Sequence, residues 1–232
     1  PHESGEEENN VLDELADAVV LGLRDYCQKS GIQRIVLGLS GGIDSAVAAC
    51  VAAEAVGPEN VLGISMPSRF SSQHSIDDAK YTAEALGMEY TSISIENHHS
   101  GLEKQLAEML EQGANVAQEN IQARLRGILV MAHANAQGRM AIATGNKSEL
   151  AQGYCTLYGD MAGGYTPLGD VYKMDVYGLA EVFNQRAQSN GKSPPVNDST
   201  MTKPPSAELA PDQRDDCLLY TSRAHETAMY LV

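Results

Sequence analysis

The chain has 232 residues, of which 43% are hydrophobic, and its formal net charge at pH 7 is −15. This length and apolar content predict one large domain with a full core. The negative charge argues against binding to nucleic acid or to an anionic membrane surface, and a membrane span is excluded because no run of about eighteen apolar residues occurs.

The four cysteines have neither the C-x-x-C spacing nor the Cys/His spacing of a metal site. They are Cys27, Cys50, Cys155 and Cys217. This pattern is typical of reduced thiols, so we predict a cytoplasmic protein. The first residue is Pro1 and no signal peptide follows it, which suggests a fragment or processed piece of a longer protein.

Helical and strand patterns alternate along most of the chain. Residues 1–10 are acidic and predict a linker, and an amphipathic helix is predicted over 11–29. Further helices are predicted over 43–56, 75–86 (with Ser75 as its cap), 102–110, 120–136 and 173–188. Strands are predicted over 34–39, 60–66, 89–95 and 140–144.

This alternation predicts an α/β fold in which a doubly wound parallel sheet is flanked by helices. Ligands of such sheets bind at the carboxyl ends of the strands. We therefore expect the loops after Leu39, Met66 and Thr144 to face one cleft. Residues 145–169 are rich in Gly and Tyr and lack a helical period, which indicates a functional loop.

A glycine-rich turn joins the first predicted strand to the next helix, with the sequence Ser40-Gly41-Gly42-Ile43-Asp44-Ser45. Such a turn points backbone N–H groups and the positive end of a helix at one spot, which favours phosphate. The two glycines allow the backbone to approach a ligand, and Asp44 supplies a carboxylate suited to Mg²⁺. The turn lacks the Lys-Ser/Thr of a P-loop, and the alternative is an ordinary strand-to-helix turn.

Three further segments carry candidate binding groups. Asn120 and Arg124 lie four residues apart and therefore on one face of a helix, where they are candidates for binding a ligand. The alternative is that Asn120 caps the helix and Arg124 is a solvated charge. Thr144 and Glu149 follow the end of a predicted strand. Thr144 suits a hydrogen bond to a ribose or adenine and Glu149 suits a metal ion or a substrate group, although an ordinary turn explains both residues too. Residues 153–164, which include Asp160, favour a binding lid.

The glycine-rich turn resembles the pyrophosphate-binding loop of the N-type ATP pyrophosphatases. With the later segments, the chain from about residue 11 to 210 resembles NAD synthetase, in particular the synthetase domain of the glutamine-dependent form. The resemblance implies a Rossmann-like fold of the adenine nucleotide alpha hydrolase type. It also implies ATP-dependent amidation of deamido-NAD through an adenylated intermediate, which releases AMP and pyrophosphate and takes its nitrogen from ammonia.

The same resemblance implies roles for individual residues. Asp44, Glu149 and Lys173 are the implied catalytic residues, and Asp44 and Glu149 the implied Mg²⁺ ligands. The implied deamido-NAD contacts are Asn120, Arg124, Glu149 and Asp160, of which Asp160 is also a candidate base toward ammonia. The implied ATP contacts are Gly38, Leu39, Ser40, Gly41, Gly42, Ile43, Asp44, Ser45, Thr144, Lys173 and Ser206.

The chain departs from the family's pattern at both ends. The family-like domain is predicted over 11–214, while 215–232 do not resemble the family and suggest a non-native tail. The amidase domain of the glutamine-dependent enzymes is expected upstream in the full-length protein, so the chain alone depends on free ammonia. The family also implies a homodimer or higher homo-oligomer, for which residues 102–136 are an interface candidate.

Three other interpretations stay open from the sequence. One is another N-type ATP pyrophosphatase, either GMP-synthetase-like or tRNA-modifying, although the net charge of −15 disfavours tRNA. A second is a non-catalytic ATP-binding module, which has no need for a pair of metal-binding carboxylates. A third is an inactive fragment that folds but lacks its true C-terminal element.

Overall fold

A parallel sheet of four strands forms the centre of the computed structural model, which describes residues 3–111, 116–210 and 213, with side chains from residue 11 onwards. The strands are β1 (Ile35–Gly38), β2 (Val61–Ser65), β3 (Glu89–Ser92) and β4 (Met140–Ile142), in the order β3-β2-β1-β4. All three pairings are parallel, and Leu37 of β1 pairs with Gly63 on one side and Ile142 on the other.

Nine α-helices occur within the described residues. They are α1 (Glu3–Ser30), α2 (Ile43–Val56), α3 (Gln73–Leu86), α4 (Glu96–Gln105), α5 (Ala107–Leu110), α6 (Val116–Gln137), α7 (Lys147–Gln152), α8 (Lys173–Ser189) and α9 (Asp198–Thr202). None of them is long and apolar enough to cross a membrane.

Helices cover both faces of the sheet. On one face, α1, α2 and α8 pack together around the fully buried Leu37 and Leu179. Helix α2 is buried almost all round, and its many alanines let neighbouring helices approach closely. On the other face, Val130 and Ala134 of α6 pack against Val36 and Ile64 of the sheet. These two apolar layers are the reason why the central strands β1 and β2 are buried and largely apolar, whereas the edge strand β3 is not.

The chain winds from β1 outward to β3 and then returns to place β4 on the opposite side of β1. This order confirms the predicted doubly wound parallel sheet. The reversal between β1 and β4 is a topological switch point, the place where open α/β sheets bind ligands.

Helix boundaries differ from the prediction at several places. Helix α1 begins at Glu3, so residues 3–10 continue the helix where a linker was predicted. Ser72 rather than Ser75 caps α3, because the Ser72 side chain accepts a hydrogen bond from the Ser75 backbone N–H. The helix predicted over 102–110 is divided at Leu106 into α4, which begins earlier, and α5.

Two short helices lie where no helix was predicted. Helix α7 occupies six residues of the predicted 145–169 loop, and α9 occupies five residues after α8. Both lack the length over which a helical period becomes visible. Strands β3 and β4 end earlier than predicted, and the predicted tail over 215–232 lies outside the described residues.

Arg139 ties together the amino edge of the sheet, away from the ligand-binding edge. Its side chain is 4% exposed and pairs with the Glu89 carboxylate at the start of β3. It also donates to the carbonyl of Asn60 at 3.3 Å, just before β2, and to that of Ile35 in β1 at 3.5 Å. One guanidinium therefore satisfies polar groups at three strand starts.

We expect Arg139→Ala to lower the free energy of unfolding by about 2 kcal/mol, because it leaves buried carbonyls without a donor. Glu89→Gln is the matched control, and we expect it to lower this free energy by less than about 1 kcal/mol, because Glu89 is 55% exposed. Urea unfolding of both variants measures the difference. Equal losses would contradict this role of the buried guanidinium.

Candidate active site

A cavity of about 340 Å³ opens at the carboxyl edge of the sheet. Its wall includes Leu39 after β1, Met66 after β2 and Thr144 after β4. The prediction that these three loops face one cleft is therefore confirmed. The size falls within the range of about 300–1,000 Å³ that is usual for small-molecule and cofactor sites.

The glycine-rich turn forms one side of the cavity and is held by its own serines. The Ser45 hydroxyl donates to the Gly42 carbonyl at 2.9 Å and accepts from the Ser40 backbone N–H at 3.2 Å. The Gly42 N–H donates to the Ser40 hydroxyl at 3.1 Å. These bonds fix the turn at the N-terminus of α2, where the helix dipole favours an anion.

Gly41 is required for a reason other than the one predicted. Its φ is +81°, and a Cβ at this position would lie 2.0 Å from the carbonyl oxygen of Ser75 in α3. Its own carbonyl lies 3.5 Å from the Thr200 hydroxyl of α9. Gly41 is therefore a packing residue that brings the turn against α3, whereas Gly42 lies in the cavity wall.

The first turn of α7 forms the opposite side of the cavity. Asn146 caps this helix, because its side-chain oxygen accepts from the Glu149 N–H at 2.9 Å. The Glu149 carboxylate accepts in return from the Asn146 N–H at 2.9 Å, which completes a capping box. The capping box fixes the Glu149 side chain at the cavity wall.

Asp44 joins the two sides of the cavity. One of its carboxylate oxygens accepts from the Asn146 side-chain amide at 2.7 Å, and the other pairs with the Lys173 ammonium group. Lys173 is 3% exposed and is the first residue of α8, where its backbone N–H donates to the Ser148 hydroxyl at 3.0 Å. The first turn of α2, the N-cap of α7 and the first residue of α8 thus meet at one carboxylate.

The surroundings of Glu149 and Lys173 in this cluster shift the pKa values of both side chains. Burial, together with the nearby Asp44 carboxylate, raises the pKa of Glu149 to about 8. Burial opposes the charge on Lys173, but the carboxylates of Asp44 and Glu149 offset it, so the pKa of Lys173 is raised. At neutral pH the cluster therefore holds a charged Lys173 and a largely protonated Glu149.

Most of the predicted site residues lie in the cavity wall. They are Gly38, Leu39, Ser40, Gly42, Ile43, Asp44, Ser45, Thr144, Glu149, Asp160, Lys173 and Ser206. Burial raises the pKa of Asp160, which accepts from the Thr156 N–H at 2.7 Å.

Asn120 and Arg124 lie beside the cavity, outside the wall that the described residues form. The Asn120 side-chain oxygen accepts from the Thr156 hydroxyl at 2.7 Å. Arg124 donates to the Leu157 carbonyl at 3.2 Å. In this structure, both side chains hold the 153–164 loop against α6.

Sequence reasoning left several wall residues without a role. Arg126 donates to the Met66 carbonyl at 3.1 Å, and burial lowers its pKa to about 10. Lys203 and Glu208 also line the cavity. Asn146 was missed although its signal was present, since Asn followed by Glu three residues later is the pattern of a capping box.

Comparisons with known proteins assign this arrangement to a family. Residues 15–223 match NAD synthase. This chain belongs to the NAD synthase family. The resemblance found in the sequence is thereby confirmed, and the comparisons do not favour the other ATP pyrophosphatases or the non-catalytic module.

The NAD synthase relatives include a glutamine-dependent NAD(+) synthetase of Rhodobacter capsulatus, 49% identical over 204 residues. The alignment covers 85% of this chain and 37% of that protein, so the chain spans little more than a third of this curated relative. Among solved structures, a glutamine-dependent NAD+ synthetase from Acinetobacter baumannii in complex with ADP aligns with a TM-score of 0.79 and 38% identity, covering 85% of this chain and 37% of that one. An NMN synthetase from Francisella tularensis aligns with a TM-score of 0.77 and 32% identity, covering 89% and 80%.

The raised pKa of Glu149 predicts that stability falls as pH rises. An unfolded Glu ionises near pH 4.3, whereas the native one keeps its proton to about pH 8. Between these values the unfolded state binds fewer protons, so the free energy of unfolding decreases with pH and levels off above pH 8. We expect Glu149→Gln to reduce this decrease, as measured by urea unfolding from pH 5 to 9 in EDTA.

Glu84→Gln, which removes a carboxylate from the exposed side of α3, is the control and should keep the slope of the unchanged protein. Parallel curves for the unchanged protein and Glu149→Gln would rule out a neutral native Glu149.

Proposed function

We propose that the chain catalyses the ATP-dependent amidation of deamido-NAD to NAD, with release of AMP and pyrophosphate. The observation that carries the proposal is the cluster of Asp44, Glu149 and Lys173 facing a glycine-rich turn at the switch point. Membership of the NAD synthase family and the names of the relatives support the same activity.

The reaction has two steps. An oxygen of the nicotinate carboxylate attacks the α-phosphorus of ATP, the bond to the bridging oxygen of the β-phosphate breaks, and pyrophosphate leaves. Ammonia then attacks the activated carbonyl carbon, loses a proton, and displaces AMP to give the amide. A free carboxylate is a poor electrophile, and the adenylate overcomes this because AMP is a good leaving group.

The protein's contribution to these steps is positioning and charge. Backbone N–H groups of the turn and the Lys173 ammonium orient the phosphates and stabilise the charge that develops on them. Thr144 and Ser206 lie in the same wall and are proposed to bind ATP. Asp160 is proposed to contact the acceptor or to take the proton from ammonia, for which its raised pKa is suited.

Two carboxylates at the cavity suit Mg²⁺, which commonly binds through one or two carboxylates together with substrate phosphates. Asp44 and Glu149 lie close enough for the Asp44 charge to raise the pKa of Glu149. We propose that these two side chains hold Mg²⁺, although the described residues contain no group of three or more His, Cys, Asp or Glu side chains placed for a metal. When bound, the ion would neutralise phosphate charge on ATP.

Asn120 and Arg124 are proposed to contact deamido-NAD where it extends past the cavity. Arg124 is exposed next to the 153–164 loop. A cavity of about 340 Å³ is too small to hold a dinucleotide together with ATP, so part of the acceptor must lie outside the cavity.

We further propose that the full-length protein supplies ammonia from glutamine through an upstream amidase domain and acts in the cytoplasm. The first proposal rests on the relatives, which are named glutamine-dependent NAD(+) synthetases. This chain spans little more than a third of their length. The second rests on the free thiols Cys27, Cys50 and Cys155. The chain alone is expected to use free ammonia and to ignore glutamine, and use of glutamine would contradict this division.

We propose a homodimer that forms through the outer face of α6. Three large apolar side chains of this helix are exposed, namely Val116 (48%), Ile128 (63%) and Met131 (39%), and Tyr158 of the adjacent loop is 86% exposed. Large exposed apolar side chains on one helix are a feature that subunit interfaces commonly cover.

Sedimentation equilibrium should give a dimer, and Ile128→Lys should shift it toward monomer. The matched control is Leu21→Lys on α1, where the side chain is 60% exposed, and it should leave the dimer intact. A monomer at every concentration would refute the interface.

The activity is tested by incubating the protein with ATP, Mg²⁺, ammonium and one acceptor at a time. We expect AMP, pyrophosphate and NAD in equal amounts with deamido-NAD. Because an NMN synthetase from Francisella tularensis is among the similar structures, nicotinic acid mononucleotide is tested as a second acceptor. A preference for this mononucleotide over deamido-NAD would change the proposed substrate. ATP turnover with xanthosine monophosphate instead would support a GMP-synthetase-like enzyme.

In this assay Asp44→Ala should lower turnover by at least about a hundredfold, the usual effect of losing one preorganised charge-stabilising group. The control Asp170→Ala removes a surface carboxylate that is 93% exposed, and turnover should change less than about twofold since such groups contribute little. Equal turnover of the two variants would refute the role of Asp44.

A further inference from the structure

The Asn146 side chain connects the two carboxylates of the cavity. Its amide nitrogen donates to Asp44 at 2.7 Å, and its amide oxygen accepts from the backbone N–H of Glu149 at 2.9 Å. Its own backbone N–H donates to the Glu149 carboxylate at 2.9 Å. One residue thus bonds to the Asp44 side chain, which is 102 residues away in sequence, and to both the backbone and the side chain of Glu149.

Asn146 does not reach the cavity itself. It is 0% exposed, and it lies behind the wall that Asp44 and Glu149 form. Any effect of Asn146 on a ligand must therefore pass through these two carboxylates.

The chemistry of an amide suits this position better than that of other side chains. The cap needs an acceptor for the Glu149 N–H, while the Asp44 oxygen needs a donor, and a short side-chain amide supplies both. Because the amide is neutral, it orients the carboxylates without adding a charge of its own to the site. A serine hydroxyl could accept the cap bond, but its single oxygen lies closer to the backbone and does not occupy the position from which the Asn146 nitrogen donates to Asp44.

We infer that Asn146 is a positioning residue that sets the separation and orientation of Asp44 and Glu149 for a divalent cation bound with ATP. This inference rests on the proposed function only in taking Asp44 and Glu149 as the cation ligands. Lys173 holds the second oxygen of Asp44, so loss of the Asn146 amide leaves this carboxylate paired with Lys173 and its first oxygen without the bond that orients it.

The test compares Asn146→Ser with the unchanged protein, using Mn²⁺ as a paramagnetic probe. Binding is measured by water-proton relaxation enhancement, which distinguishes Mn²⁺–ATP bound to the protein from Mn²⁺–ATP free in solution, so the readout is cation binding rather than turnover. We expect Asn146→Ser to weaken Mn²⁺ binding by about 10–100-fold, the usual effect of removing a partner that orients a metal ligand. Binding within twofold of the unchanged protein would overturn the inference.

A double-mutant cycle separates positioning from general support of the fold. If Asn146 acts through Asp44, the effect of Asn146→Ser on Mn²⁺ binding should disappear in the Asp44→Ala background. An effect of the same size in both backgrounds would mean that Asn146 acts elsewhere and would overturn the inference.

Asn197 offers a matched control in the same chain. It caps α9 and donates from its amide to Asp78 at 2.7 Å, which repeats the bonding of Asn146 outside the cavity wall. Asn197→Ser should leave Mn²⁺ binding within about twofold, whereas a loss equal to that of Asn146→Ser would count against the inference. If Asn146→Ser does not fold, Asn146→Asp keeps the cap acceptor and places two carboxylate oxygens against each other, so it should also weaken Mn²⁺ binding.

The outcome also distinguishes this inference from the proposed function. A protein that binds Mn²⁺ with ATP but forms no NAD would refute the function while Asn146→Ser still decides the role of Asn146. A protein that binds Mn²⁺ with ATP at no concentration would refute both.

Discussion

The arrangement of the site depends on one partly buried carboxylate, that of Asp44. It lies in the first turn of α2, and its two oxygens are held by Asn146 after β4 and by Lys173 at the start of α8. These elements come together at the switch point of the sheet. The side-chain contacts to Asp44 therefore close the cleft that the parallel sheet leaves open, and they fix the distance between the glycine-rich turn and α7.

The same contacts explain how a chain with a net charge of −15 can present a site for a polyphosphate. In the low-dielectric wall, Lys173 is balanced by Asp44, and Glu149 avoids a second negative charge by retaining its proton. The cluster is thus nearly neutral before a ligand enters. Backbone N–H groups, the α2 dipole and the partly buried Arg126 supply the remaining positive potential, and none of these depends on the overall charge of the surface.

The sequence was sufficient for the parts of the fold that rest on local pattern. The runs 43–56 and 173–188 are long and free of helix-breaking residues apart from one glycine, and the apolar run before Gly38 indicates a buried strand, so the parallel sheet and the position of the turn follow. Helix α7 was missed because six residues are too few to show a helical period of apolar residues. Its capping box is the sequence signal that indicates it. The contact between Asn146 and Asp44 could not be predicted, since it joins residues 102 positions apart through the packing of the sheet.

The 153–164 loop shows that composition alone does not reveal how a segment packs. Its glycines suggest a movable lid, but a Cβ on Gly159 would lie 3.0 Å from Ala123 of α6, so that glycine permits close packing. Thr156 is buried and bonded to Asn120, and Arg124 holds the Leu157 carbonyl. In this structure the loop is therefore held on α6 and contributes to the cavity wall.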